Sequence, residues 1–193
     1  MSFYKINFEQ LRQDPQISEM LSALERGLDE FGIDFYLVGA LARDGWMRGI
    51  HKITPRRTTK DIDFAVLIND KGVYEALKDH LIVKEKFTSS KDNAFVLLWK
   101  DRHQVDLLPF GAIEDEDGKV ETQGLGYTSI LVPGFKEVYD SGLPQLQLED
   151  QHQFKFCTLP GIIFLSVTKI TVSQFSFPDF CRNQTQANFK KRP

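Results

Sequence analysis

The stretch Thr58-Thr59-Lys60-Asp61-Ile62-Asp63-Phe64-Ala65-Val66 sets two carboxylates one residue apart inside an otherwise apolar run. On a strand, positions i and i+2 face the same way and lie about 6.6 Å apart. Two ionised acids on one face of a mostly buried strand repel each other and lose hydration. One of them is then expected to neutralise unless a cation sits between them. Oxygen-rich sites of this kind suit Mg2+, which keeps some of its water and is shared with substrate phosphates. Taken alone, an Asp-x-Asp more commonly marks a strand end whose acids cap a neighbouring helix or face solvent.

The surrounding pattern places this strand in an α+β domain. Phe8, Leu11, Ile17, Met20, Leu21, Leu24, Leu28 and Phe31 recur at three- and four-residue steps, which predicts an amphipathic helix over 8–31, broken at Asp14-Pro15. Residues 34–38 read as a short buried strand that runs into Gly39, and 40–47 as a helix following at once. After the acidic strand come a helix over 72–83 and two strands, 93–99 and 103–110, joined by Lys100-Asp101-Arg102 at hairpin spacing. Early alternation of strand and helix followed by paired strands predicts a mixed β-sheet flanked by helices. Glu114-Asp115-Glu116-Asp117-Gly118 reads as a solvated turn, and short apolar pieces follow at 125–132 and 143–148. Leu159-Pro160-Gly161 looks like a proline-initiated helix start. One domain over 1–165, with its core at 34–111, is expected; 166–193, rich in Thr, Ser, Gln, Asn and Phe without a clean period, is expected to be an atypical, poorly ordered tail.

Composition narrows the function classes. A chain of 193 residues with 41% hydrophobic and 26% charged residues suits one ordinary globular core. A net charge of -3 provides no global basic field for a polyanion. Two cysteines, Cys157 and Cys181, and four histidines form neither a disulfide framework nor a zinc motif. Met1-Ser2-Phe3-Tyr4-Lys5 opens into polar sequence read as helical, with no leader or membrane span, so a cytoplasmic setting is expected.

Three pieces carry chemistry together. At Val38-Gly39-Ala40-Leu41-Ala42-Arg43-Asp44 a strand ends at a glycine and a helix begins, presenting backbone N–H groups and a positive dipole end to an anion. Gly39 would allow close approach and Arg43 could fork onto phosphate oxygens. The second piece is the Asp61/Asp63 pair. In the third, Val105-Asp106-Leu107-Leu108-Pro109-Phe110, a lone acid interrupts a strand that otherwise reads as core, and such an acid needs a partner or a metal. Three acids on two strands, a phosphate-cradling junction and a basic loop (Lys52, Arg56, Arg57, Lys60) make up the parts of metal-assisted phosphoryl or nucleotidyl transfer.

The order Gly39-Ala40, Arg43-Asp44, Asp61-x-Asp63 and a later Asp106 resembles the nucleotidyltransferase superfamily of DNA polymerase beta, CCA-adding enzymes and the minimal nucleotidyltransferases. The run from Tyr36 to Asp44 is similar to the first motif of CCA-adding enzymes. With Thr59 to Val66, Val105 to Gly111 and Leu159-Pro160-Gly161, the chain resembles the AbiEii/AbiGii-type toxins of toxin–antitoxin systems over roughly residues 20–165. The resemblance implies a nucleotidyltransferase fold in which Asp61, Asp63 and Asp106 are catalytic and ligate Mg2+ or Mn2+. Gly39 and the amide of Ala40 would hold a nucleoside triphosphate, with Arg43 and Lys60 neutralising its charge. It implies transfer of a nucleoside monophosphate to an RNA 3' end such as that of tRNA, a protein hydroxyl or a small molecule, and an antitoxin as partner. Ala40 stands where the superfamily usually has Gly or Ser, and 166–193 does not resemble the lysine-bearing helical continuation of such relatives. Those departures support an alternative, a catalytically weak nucleotide-binding or protein-interaction module of the same fold.

Overall fold

A computed structural model describes residues 2–6, 16–53, 61–148 and 152–176. The chain forms an α+β domain whose main sheet has eight strands. In chain order the strands are β1 (Phe3–Ile6), β2 (Phe35–Val38), β3 (Ile62–Leu67), β4 (Phe87–Ser89), β5 (Val96–Trp99), β6 (His103–Phe110), β7 (Lys119–Glu121), β8 (Ser129–Leu131), β9 (Gln145–Leu148) and β10 (Gln153–Phe156). The helices are α1 (Gln16–Glu30), α2 (Gly39–Asp44), α3 (Lys71–Val83), α4 (Phe135–Asp140) and α5 (Leu159–Ser176). The order across the sheet is β1-β9-β10-β2-β3-β6-β5-β4, and β7 pairs with β8 separately.

β3 sits near the middle of the sheet, antiparallel to β2 and parallel to β6. Its Ile62, Phe64, Ala65 and Val66 are wholly buried, as a central strand requires. Registered partners share a face, so Val38, Asp63, Asp106, Ala65 and Leu108 look one way, and Leu37, Phe64 and Leu107 the other. The apolar positions of α1, among them Ile17, Met20, Leu21, Leu24 and Leu28, are all buried, which explains why this segment is helical. Asp70 caps α3 by accepting from the amides of Gly72 (2.8 Å) and Val73 (3.2 Å). The β5–β6 hairpin turns at the residues expected, with Lys100 and Asp101 in the left-handed region at φ 52° each.

Elsewhere the elements differ from their expected limits. Residues 3–6, read as opening into helical sequence, themselves form a strand, β1, which runs parallel to β9 in the register Phe3 to Gln145. The helix expected over 8–31 is present from Gln16, and 7–15 lie outside the described residues. α2 passes directly into a π-helical turn, Gly45–Ile50, three residues beyond the expected limit. The segment set apart at 166 is helical as far as Ser176, and 177–193 lie outside the described residues. Among the described residues no helix is long and apolar enough to cross a membrane.

α5 is held against the end of β2. The Cys157 amide donates to Leu37 O (2.9 Å), and the Trp46 indole donates to Cys157 O (2.8 Å). Cys157 itself is buried, and burial pushes its thiol up to about 12, so it stays an inert core group. Tyr36 donates its hydroxyl to Phe135 O (2.8 Å), seating α4 over the sheet.

At the start of β2, Asp34 accepts from Lys155 of β10 and from Tyr139 of α4. Burial alone would raise the Asp34 carboxyl, but the hydrogen bonds from Lys155 and Tyr139 outweigh it and hold it below its ordinary range. A depressed carboxyl contributes stability above its unfolded value, near 3.9, and loses it as pH falls through the lower folded value. The gap in urea midpoint between the native chain and Asp34→Asn is therefore expected to be constant at neutral pH and to close below about pH 4. A gap that persists unchanged to about pH 2 would contradict this role.

Candidate functional site

The site is built where β2 gives way to α2. Val38 is the last residue of β2 and lies opposite Asp63 in the antiparallel ladder. Gly39 follows at φ +66°, and a Cβ built on it would lie 2.1 Å from Asp63 Oδ2. Only glycine allows both that backbone conformation and that approach. The chain then enters α2 without a side-chain cap, since Val38 at the cap position has no acceptor to offer. The amides of the first turn thus start beside the carboxylate of Asp63.

Asp63 and Asp106 are register partners on the parallel strands β3 and β6, so their side chains are neighbours on one face. Gln104, two residues earlier on β6, donates to Asp106 Oδ1 (2.8 Å) and orients it. Arg43, in the last turn of α2, donates from Nε (2.9 Å) and Nη2 (2.7 Å) to Asp44 Oδ1. Asp44 is 6% exposed, whereas the Arg43 side chain is 39% exposed, so a buried carboxylate fixes a guanidinium that still reaches solvent. Asp61 precedes the first residue of β3 and is half-buried. The same-face argument for Asp61 and Asp63 therefore starts from only one residue that is within the strand. Lys60, Arg56 and Arg57 lie outside the described residues; Lys52 is described, and its ammonium donates to Gly49 O (2.8 Å).

A cleft of about 250 Å3 opens at this junction. Gly39, Ala40, Arg43 and Asp63 line it. An apolar wall of Val38, Leu108, Phe135, Ile162 and Leu165, with Ser166, completes the lining and is drawn from β2, β6, α4 and α5. Asp106 adjoins it through its register with Asp63. Four of the seven residues expected in a site thus meet in one cleft, a fifth borders it, Asp61 stands at the strand entry, and Lys60 is not described.

Among the described residues, no three His, Cys, Asp or Glu side chains are grouped closely enough to hold a metal ion. Mg2+ commonly takes one or two carboxylates and completes its shell with water and substrate phosphates. The all-oxygen neighbours Asp63 and Asp106 fit that donor chemistry. The orienting roles of Asp44 and Gln104 and the whole apolar wall were not anticipated from sequence. Gln104 had a signal, strand alternation two residues from Asp106; the wall, spread over four elements, had none.

No protein-family model matches this chain, and no curated protein is similar to it. Several solved structures are similar at low identity. The antibiotic-resistance factor ANT(2'')-Ia in solution shares 15% identity at a TM-score of 0.35, over 65% of this chain and 69% of that one. The same factor in complex with adenylyl-2''-tobramycin shares 14% identity at a TM-score of 0.42, over 86% of this chain and 82% of that one. The Thermotoga maritima CCA-adding enzyme complexed with tRNA shares 22% identity at a TM-score of 0.37; the match spans 57% of this chain but only 25% of that enzyme. These neighbours are nucleotidyltransferases.

Gly39→Ala combines a left-handed backbone with a collision against Asp63. Gly142 has a similar conformation, φ +86°, with nothing within 4 Å of an added Cβ, so Gly142→Ala isolates the backbone cost of about 1–2 kcal/mol. Gly39→Ala is expected to lower the free energy of unfolding by more than Gly142→Ala in urea titrations. Equal losses would contradict the close packing of Gly39 on Asp63.

Proposed function

We propose that this chain is a Mg2+-dependent nucleotidyltransferase that moves a nucleoside monophosphate from a nucleoside triphosphate to an acceptor hydroxyl. The observation that carries the reading is the pressing of Gly39, at an uncapped helix start, onto Asp63, itself in register with Asp106. Anion-seeking amides and cation-seeking carboxylates are thereby set side by side, as a metal-bound triphosphate requires.

In this reading Gly39 and the amide of Ala40 receive the triphosphate, and Arg43, braced by Asp44, neutralises its charge. Asp63 and Asp106, with Asp61 at the strand entry, would hold Mg2+ or Mn2+, which supplies charge neutralisation along the transferring phosphate. Asp106, oriented by Gln104, accepts the proton of the acceptor hydroxyl. The acceptor oxygen bonds to the α-phosphorus in line, the bond to the β-phosphate oxygen breaks, and pyrophosphate leaves with its electron pair. Positioning and electrostatics carry the catalysis. The motif resemblance extends the proposal to a cytoplasmic toxin of a toxin–antitoxin pair, with tRNA or a protein hydroxyl as acceptor and an antitoxin as partner.

A second reading, nucleotide binding without transfer, is favoured by Ala40, which faces the cleft without the hydroxyl that a serine would offer a phosphate. Incubation with each α-labelled triphosphate, Mg2+, total tRNA and protein extract separates the two. Label in an acceptor supports the enzyme; clear triphosphate binding with no labelled acceptor supports the inert module. In either case, Asp61→Ala combined with Asp63→Ala is expected to abolish Mg2+-dependent triphosphate binding with the circular-dichroism spectrum retained. Unchanged affinity in that double variant would remove the site assignment.

A further inference from the structure

Three rings are stacked at the far end of the helical segment that Gly39 begins. Phe156, wholly buried, lies against Trp46 at 5.0 Å between centroids and 29° between planes, and Trp46 lies against His51 at 6.4 Å and 26°. His51 is exposed, so the stack ends at the surface. Trp46 is fixed by its indole on Cys157 O (2.8 Å) and by Tyr4, edge-on at 5.1 Å. The π-helical turn is what brings the two outer rings together. In it the His51 amide donates to Trp46 O (2.9 Å), five residues back. An α-helix would carry residue 51 about 140° around the axis from residue 46, whereas the wider turn returns it to the same side. Lys52 then leaves the turn at φ 59°, a left-handed conformation uncommon for a residue with a side chain, and its ammonium reaches back to Gly49 O (2.8 Å). Both features are rare, and such features gather at functional sites.

An exposed ring on a fixed stack is a platform for another planar group. Single-stranded RNA is held in this way, with its bases laid on aromatic or imidazole faces and its phosphates met by cations. The sequence from Gly45 to Ile53 carries Arg48, His51 and Lys52 and no acid. α2 and the π-helical turn run without a break from Gly39 to Ile50, on the order of 15 Å along the axis. A strand covers that distance in several nucleotides at about 3.4 Å each, so a base on His51 belongs to a strand and not to the triphosphate at Gly39. We infer that His51, stacked on Trp46, receives a base of a single-stranded RNA whose terminal hydroxyl is the acceptor at Asp106. In naming the acceptor the inference rests on the nucleotidyltransferase reading; the platform itself does not depend on it.

The test is fluorescence anisotropy of oligoadenylate and oligouridylate, each about ten nucleotides long, with the full chain and no nucleoside triphosphate. The native chain is expected to bind both, His51→Ala about tenfold more weakly, and His51→Phe within about threefold of native because a ring is kept. Unchanged affinity in His51→Ala, or no binding by the native chain, overturns the platform and leaves the reading of the cleft standing. A loss in His51→Phe as deep as in His51→Ala overturns stacking as the contact, and displacement by inorganic polyphosphate as readily as by unlabelled RNA reduces the binding to charge and overturns it too. With α-labelled triphosphates and Mg2+, the oligonucleotides are expected to gain label, about tenfold less of it with His51→Ala at RNA concentrations well below saturation. Label in protein and none in RNA overturns RNA as the acceptor. Label in neither removes the transfer reading, and the acceptor assignment with it.

Discussion

The pressing of Gly39 onto Asp63 is the constraint on which the arrangement depends. β2 pairs with β3 as far as Val38 opposite Asp63, and the next residue must turn away at φ +66° with an acid where its side chain would be. A side chain at 39 would displace either the helix start or the carboxylate. Because it has none, α2 starts beside Asp63, and Arg43 comes to the rim one turn later with its fork braced by the buried Asp44. The cost of seating carboxylates in the middle of a buried sheet is offset if a cation and phosphates occupy the cleft. That offset ties the local packing to the proposed chemistry.

The rest of the domain keeps this junction rigid. β3 is paired on both sides, so Asp63 cannot shift without disturbing two ladders. Asp106 is placed by the same register and turned by Gln104. Tyr36 fixes Phe135, and the contacts of Cys157 fix the start of α5, so the apolar and the charged residues that line the cleft belong to one frame. Burial raises the Tyr36 phenol, which keeps its hydroxyl protonated as the donor this seating needs. Sites mounted on strands and a helix start in this way hold their groups with little reorganisation.

Much of this was legible in the sequence, for local reasons. The β5–β6 hairpin is announced by two apolar runs and a three-residue polar link, and α1 by apolar residues at helical spacing. Gly39 stands out where an apolar strand ends, Arg43 in the helix that follows it, and Asp63 and Asp106 because charge interrupts apolar strands. β1 was illegible because its pairing with β9 joins residues 3–6 to 145–148, and no local pattern encodes a partner so distant. Asp61 shows the limit of periodicity: the i, i+2 argument assumes both acids lie within the strand, whereas β3 begins at Ile62. The apolar wall was hidden for a third reason. Leu108, Phe135, Ile162 and Leu165 each look like ordinary core residues until the fold brings them around one space.

The central claim is that Asp63 and Asp106 act as one unit toward the metal and the triphosphate. A double-mutant cycle with Asp63→Asn and Asp106→Asn, reading Mg2+-dependent nucleoside triphosphate affinity by calorimetry, tests it most directly. The account predicts that either single change removes most of the Mg2+ dependence and that the double change adds little, a coupling of about 0.5–3 kcal/mol. Strictly additive losses, or native Mg2+ dependence in either single variant, would contradict it.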